Sequence, residues 1–509
     1  MKVHLQRYRI PQSFGGNLRF LTDPGFGPVQ CVLAYHVNAG TTLNTGDAST
    51  NSKGFLIGHA GTSGSSAAPT TVMCSSGIAH SNNLASTQTT LSTRISDWLT
   101  QDSNRTTRAR FTTIVFGTDE ITMTNSGKAA VGTTFDDLIL VMFGGTGLSS
   151  ATNYNTINQT QNALRNITGL TFRPDVVIGS WCGDTAGNTS VAAQSKIGYG
   201  AVGRTNNSDS VYIVYSGNNA VTPVACKAGI GTDMLWKRLS GFLSATNTAS
   251  TASGGGVTAF NADGFDVQTY NAAQAASTYQ FNFTALKCDE RIKTGYFFTP
   301  TGTGTTFVEL GFVPQFVMGS SVGGTLFQAQ YTVAPESNNI SYWFAMGPQA
   351  NNTFYKGTGT ISASTGSATI TGTGTSFMGQ INEGDILVGP AYEAVGTVSS
   401  VGGSTSLTLT GSSSNNITAG SDYFYKRSGQ FNIVFGDAND GTTPTNVFSG
   451  IMTTAPTLYN TTQYSSGSFI AFDSRPGFTV NYSDAESLPR LNWYFAVEAE
   501  PRRKRRSIG

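Results

Sequence analysis

A threefold internal repeat constrains this chain more than any other feature, because one fold must satisfy the same local pattern three times. Three segments share an opening in which an apolar residue is followed by Pro and a short strand. They are Gly25-Phe-Gly-Pro-Val-Gln-Cys-Val-Leu33, Leu170-Thr-Phe-Arg-Pro-Asp-Val-Val-Ile178 and Leu310-Gly-Phe-Val-Pro-Gln-Phe-Val-Met318. Proline fixes φ and cannot continue a preceding ladder, so it sets where pairing begins. Each segment continues into a middle strand of Gly and aromatics: Gly54-Phe-Leu-Ile-Gly58, Ile197-Gly-Tyr-Gly-Ala201 and Ile340-Ser-Tyr-Trp-Phe-Ala345. Each closes on a hairpin-like pair, residues 116–123 with 137–143, 260–267 with 279–283, and 472–480 with 491–497. Phe265 and Val267, and likewise Tyr279, Phe281 and Phe283, alternate with the period of a half-buried strand.

Spacing tests the repeat. Pro28 to Phe116 is 88 residues, Pro174 to Phe260 is 86, and Pro314 to Phe472 is 158. Residues 357–426 supply the excess, since removing those 70 leaves 88. They carry their own pattern of short strands and Gly turns, as in Gly366-Ser-Ala-Thr-Ile-Thr-Gly-Thr-Gly-Thr-Ser-Phe377, Glu383-Gly-Asp-Ile-Leu-Val388 and Thr405-Ser-Leu-Thr-Leu-Thr410. That pattern marks a compact β module, inserted where Gly/Ser/Asn-rich surroundings tolerate it. The expected fold is all-β: three tandem β-sandwich repeats, jelly-roll-like, with a small β-barrel or sandwich domain inserted in the third. The units are 1–146, 147–288 and 289–356 plus 427–500, with the insert at 357–426 and a basic tail at 501–509. Candidate helices are confined to 90–99, 155–167 and 233–243, about one to three turns each, with irregular loop the competing reading for the first two. Repeat count leaves open whether the units imitate a trimer around one core or are strung as a rod.

Composition narrows the function. The 509 residues include 60 glycines, 12% charged and 11% aromatic residues. Aromatic and β-branched strands set the chain apart from disordered sequences. A formal net charge of +1 argues against a general polyanion binder, so nucleic acid is not an expected partner. Residues 1–10 lack the apolar core of a signal peptide, and no apolar run reaches membrane-spanning length. Cys31, Cys74, Cys182, Cys226 and Cys288 form no metal-like spacing with the histidines, and most of them read as small buried apolar residues.

The pairing of a "GFxPxxV" opening with an "F-x-x-x-GF-x-V … Y-x-F-x-A" closing resembles a repeat of structural proteins of tailed bacteriophages, across most of the chain. The first copy departs from it, with Asp119-Glu-Ile where the closing has Gly-Phe. The insert resembles small β modules of phage tail fibres, baseplates and head appendages. The resemblance implies a virion protein made in the host cytoplasm and placed on the particle exterior as a tail, fibre or baseplate-type component. Capsid decoration and a host-glycan-binding adhesin are the alternatives. Expected partners are other virion proteins and further copies of the chain in a symmetric assembly, with a host-surface glycan for the adhesin and no membrane.

The candidates for chemistry are few, and no cofactor or enzyme activity is expected. His4, His36, His59 and His80 all precede the second repeat and lack ligand spacing. Gly302-Thr-Gly-Thr-Thr306 and Gly372-Thr-Gly-Thr375 look like phosphate loops, but strands are expected to follow and the lysine is missing. The carboxylate pairs Asp136/Asp137, Asp119/Glu120, Asp263/Asp266 and Glu383/Asp385 would suit a glycosidase. Asp119, Asp263 and Asp473, however, sit at matching repeat positions, as turn-capping residues would. Of the tryptophans, Trp343 and Trp493 fall in strand patterns and read as core, with Trp98 unassigned. Trp181 and Trp236 are the candidates for glycan contact. Arg502, Arg503, Lys504, Arg505 and Arg506 form a charged run read as a docking arm on an acidic neighbour, with a solvated tail as the competing reading.

Overall fold

The computed structural model describes residues 1–10, 16–22, 25–39, 53–63, 71–80, 86–91, 96–99, 107–125, 135–158, 160, 162–182, 189–192, 194–204, 211–218, 226–231, 236–239, 251–272, 278–298, 300–322, 340–347, 354–381, 384–426, 430–437, 447–452, 466–472, 475–484 and 491–499. Strands dominate, and the single α-helix among these residues is the four-residue turn Phe377–Gln380. The chain is all-β.

The repeat seen in the sequence reappears as repeated topology. In the first unit the larger sheet runs Lys2–Ile10, Phe135–Gly144, Val29–Ala39, Lys53–Thr62, Thr71–His80, Ser86–Leu91. The second repeats this order with Leu148–Asn158, Thr278–Cys288, Val176–Cys182, Gln194–Gly203, Val211–Asn218 and Cys226–Gly231. The third does so with Ile292–Phe298, Leu491–Glu498, Pro314–Val322, Ile340–Met346, Gln430–Asp437 and Val447–Met452. A smaller sheet faces each: Gly16–Leu21, Glu120–Asn125, Thr107–Phe116, Ser96–Leu99; then Leu164–Ile167, Gly264–Ala272, Thr251–Asn261, Trp236–Leu239; then Gly304–Glu309, Gly477–Asp484, Ser466–Phe472. First strand beside last, and second beside next-to-last, is pairing of the jelly-roll kind. The intervening strands depart from it. Hairpins carry them on as a meander that widens the larger sheet.

Each unit buries a core between its two sheets. Leu18, Phe20, Phe111 and Ile121 meet Val32 and Leu140 in the first; Phe265 and Val267 meet Phe281 and Phe283 in the second; Val308, Phe478 and Val480 meet Val317 and Ala496 in the third. The opening signature anchors there, because Phe26, Phe172 and Phe312 are all buried in these cores. The closing Gly has a steric cause. A Cβ on Gly264 would lie 1.8 Å from the Ile167 carbonyl oxygen, and one on Gly477 would lie 2.1 Å from that of Val308. Glu120, in the first unit, occupies the matching place without such an approach and ion-pairs with Arg19.

The other face of each larger sheet turns inward, and the three units close on one another. Lys53–Thr62, Thr71–His80 and Ser86–Leu91 pack on Leu148–Asn158, Val176–Cys182 and Gln194–Gly203. Gln194–Gly203, Val211–Asn218 and Cys226–Gly231 pack on Ile292–Phe298, Pro314–Val322 and Ile340–Met346. Val447–Met452 then returns to Val29–Ala39 and Lys53–Thr62, completing a ring of head-to-tail contacts. Thr189–Ala192, from the second repeat, also pairs with Ser86–Leu91 and extends the first unit's sheet. The alternative left open by the sequence is resolved: the units share one core, as a trimer would.

The insert forms an eight-stranded sheet spanning residues 355–426 around its own core of Ile370, Phe377, Leu387, Leu407 and Tyr423. Met378, on its helical turn, packs against the first unit's core.

Where they are described, the three candidate helices are strands or, as at Asn162 and Ala163, the turn between them. Residues 90–99 contribute to Ser86–Leu91 and Ser96–Leu99, residues 155–167 to Leu148–Asn158 and Leu164–Ile167, and residues 233–243 to Trp236–Leu239. All are ladder partners of strands distant in sequence or across a hairpin, and pairing of that kind overrides local propensity.

Candidate functional site

Two buried features distinguish the ring. The first is its axis, where aromatic side chains from all three units converge. Tyr199 meets Tyr35 edge-on at 6.3 Å and Trp493 at 5.9 Å between ring centroids. Below them Phe143 packs on Phe316 and Phe495 at 6.2 and 6.5 Å. The hydroxyls are served locally: Tyr35 donates to the Met318 sulfur at 3.6 Å, and Tyr199 hydrogen-bonds Ser320. Trp493 is core, as the strand pattern predicts, and the axis is packed rather than open.

The second is a polar seam between the first two units. His59 is fully buried, with Nδ1 3.1 Å from Thr284 Oγ1 and Nε2 3.0 Å from Ser180 Oγ. Thr284 also meets Thr152 at 3.2 Å, while Asn282 accepts from Gln280 at 2.6 Å and donates to Ser76 at 2.9 Å. Ladder register puts His59 opposite Leu33, Ala201 opposite Ile178 and Ala345 opposite Met318. The position His59 fills in one unit is therefore alanine in the other two. Burial disfavours the imidazolium and pushes the His59 pKa down to about 3, so the ring is neutral at physiological pH. A Ser–His contact resembles an activated nucleophile. Here both imidazole nitrogens meet hydroxyls, no carboxylate orients the ring, and every group is shut from solvent. The arrangement specifies a contact and offers no substrate a path. His4 and His36 are buried as well.

The remaining sequence candidates disperse. Trp181 is 2% exposed inside the second unit's core, so it is a packing residue and not a glycan contact. The reason lies in register: Trp181 stands opposite Phe281 within a strand, where the sequence left it in a loop. Trp236 opens the strand Trp236–Leu239. Arg502, Arg503, Lys504, Arg505 and Arg506 lie outside the described residues, as do Glu383 and Asp473. Asp119 accepts the Gly27 N–H at 2.9 Å, from a segment 92 residues away rather than from its own turn, and Asp266 accepts from Asn261 Nδ2 at 2.8 Å. Asp385 is buried. A strand follows Gly302, but a helical turn and not the expected strand follows Gly372–Thr375. Its Thr375 hydroxyl is spent on the Ser404 carbonyl at 2.6 Å, so the phosphate-loop reading gains nothing. Among the described residues no group of three or more His, Cys, Asp or Glu is placed to hold a metal. Cys31 and Cys74 are buried free thiols, and burial pushes Cys31 up to about 12.

Fold and site together define a single-chain, pseudo-threefold β-ring with a closed aromatic axis. No family model matches the chain, and no curated protein or solved structure matches it.

Proposed function

We propose that this chain is a non-enzymatic structural component of a tailed-phage virion, carried on the particle exterior as a tail, fibre or baseplate-type protein. The observation that carries the reading is the ring itself: one chain reproduces a trimer around a shared core. Such a body presents three similar faces about one axis, and a symmetric assembly engages it by repeated contacts whose avidity exceeds any single one. The motif resemblance of the repeats and of the insert supports the same reading. Function by shape also suits a molecule in which His4, His36 and His59 are all buried. In this reading the run Arg502–Arg506 docks on an acidic neighbouring subunit.

Capsid decoration is the second reading, favoured by the same symmetry, since a pseudo-trimer suits a threefold position on a shell. Cryo-electron microscopy of intact particles separates them. Density for the ring at the tail or its fibres supports the first, density at shell symmetry axes replaces it with the second, and absence from purified particles refutes both.

A further inference from the structure

We propose that the inserted domain carries a saccharide-binding platform built on Tyr392, a site independent of where the chain sits in any particle. The strands Tyr355–Lys356, Phe424–Lys426 and Ile386–Val388 lie side by side, with Tyr355, Tyr425 and Leu387 in register and turned toward the insert's core. Alternation along the strands puts Lys356, Phe424, Lys426 and Ile386 on the opposite face. Above that face the turn of residues 389–393 carries Tyr392 over Phe424, stacked at 4.9 Å and 27° between ring planes. Phe354 closes from the side, edge-on to Tyr392 at 5.4 Å. One face of the tyrosine ring is thereby backed and the other is free, with Tyr392 57% and Phe354 39% exposed.

The backbone beneath this ring runs against local preference. Tyr392 has φ +61°, one of two non-glycine residues in the left-handed region among those described. The turn is held there by Gly389 N–H donating to the Glu393 carbonyl at 2.9 Å, Tyr392 N–H to the Gly389 carbonyl at 3.0 Å, and Ala391 N–H to Glu393 Oε2 at 2.7 Å. Glycine would occupy the position without strain, whereas a large side chain there is disfavoured. A mostly exposed ring returns little burial for that strain. The stack on Phe424 offsets part of that strain, and a preorganised contact surface accounts for holding a mostly exposed ring in place.

The surroundings select the occupant. Lys356 Nζ donates to Asp422 Oδ2 at 2.6 Å, and both side chains are about half exposed, at 58% and 48%. An exposed pair of this kind adds little to stability. It does set ammonium donors and carboxylate acceptors beside the aromatic surface. A pyranose with equatorial hydroxyls fits both parts, laying its axial C–H face on Tyr392 and its hydroxyl edge on the pair. A protein partner is the poorer fit, because a few large side chains fall well short of a stable interface and the charges at their edge would be buried with them.

The full chain is titrated by calorimetry with cellotetraose and with tetra-N-acetylchitotetraose, two oligosaccharides of all-equatorial rings, and with mannitol as an acyclic control. Expected is binding of at least one oligosaccharide with Kd of about 1 mM or tighter, and none of mannitol. Tyr392→Gly should weaken it by about tenfold or more. That variant should melt close to the parent, since glycine's ease at φ +61° offsets the lost stack on Phe424, and Tyr392→Trp should retain binding. Failure of both oligosaccharides to bind at about 10 mM overturns the proposal. Binding that survives Tyr392→Gly overturns it equally.

Discussion

Protonating His59 should open the seam between the first two units, and the size of the effect follows from its environment. The ordinary imidazole value of 6.5 falls to about 3 in the folded chain because burial penalises the cation. The folded state therefore binds that proton less readily than the unfolded chain. The associated stability is complete above pH 6.5 and is lost progressively as pH falls toward 3. Linkage puts the loss at about 2 kcal/mol by pH 5 and about 5 kcal/mol once both states are protonated. His59→Gln removes the titration while keeping a donor and an acceptor for Thr284 and Ser180. Urea denaturation of both proteins at pH 8 and pH 5 isolates the residue, because contributions common to both cancel in the difference. Between these pH values the parent should lose about 2 kcal/mol more than the variant. Profiles parallel to within about 0.5 kcal/mol would falsify the assignment of a buried, neutral imidazole at this contact.

Three further outcomes follow from packing. Trp493→Ala empties a fully buried position on the axis and should destabilise the ring by about 3–5 kcal/mol, seen in calorimetry as one lowered transition for all three units rather than for the third alone. Gly264→Ala forces a Cβ against the Ile167 carbonyl and should cost about 2 kcal/mol or more in thermal denaturation, whereas Gly169→Ala, at φ +87° with open space around it, should cost only about 1–2 kcal/mol of backbone strain. Met378→Lys places a charge where the insert meets the first unit and should speed proteolytic release of residues 357–426 without lowering the melting temperature of the insert itself.

The strands were legible because side-chain alternation and turn residues are local properties. The Gly-aromatic middle strands fall in paired strands, and the insert's pattern of short strands emerges as one eight-stranded sheet. The expected closing hairpins do not form: Glu120–Asn125, Gly264–Ala272 and Gly477–Asp484 lie in the smaller sheets, whereas Phe135–Gly144, Thr278–Cys288 and Leu491–Glu498 lie in the larger ones. The Gly-Phe closing was readable from its recurrence, whereas the bond of Asp119 to Gly27, 92 residues away, was not readable from its place beside a turn. What misled was ambiguity between short apolar runs. The segment Ala163-Leu164-Arg165-Asn166-Ile167 has nothing local to forbid a helix, yet it completes a ladder against Phe265–Gln268. Trp181 was misplaced for the same reason, since its burial depends on Phe281, one hundred residues away. Tyr392 left no signal, because a positive φ at tyrosine and a stack on Phe424 arise only when the turn and strand are brought together.

The sequence by itself determined that the chain is all-β, that one unit occurs three times, and that the third hosts a guest, since each rests on periodicity, turn chemistry and spacing along the chain. Only the tertiary structure decided that the units close into a ring. Closure depends on which sheet edge packs on which neighbour and on side chains such as Tyr35, Tyr199 and Trp493 meeting across distances of up to several hundred residues. A rod and a ring present the same local alternation. They differ in whether the inward face of each larger sheet finds the other two.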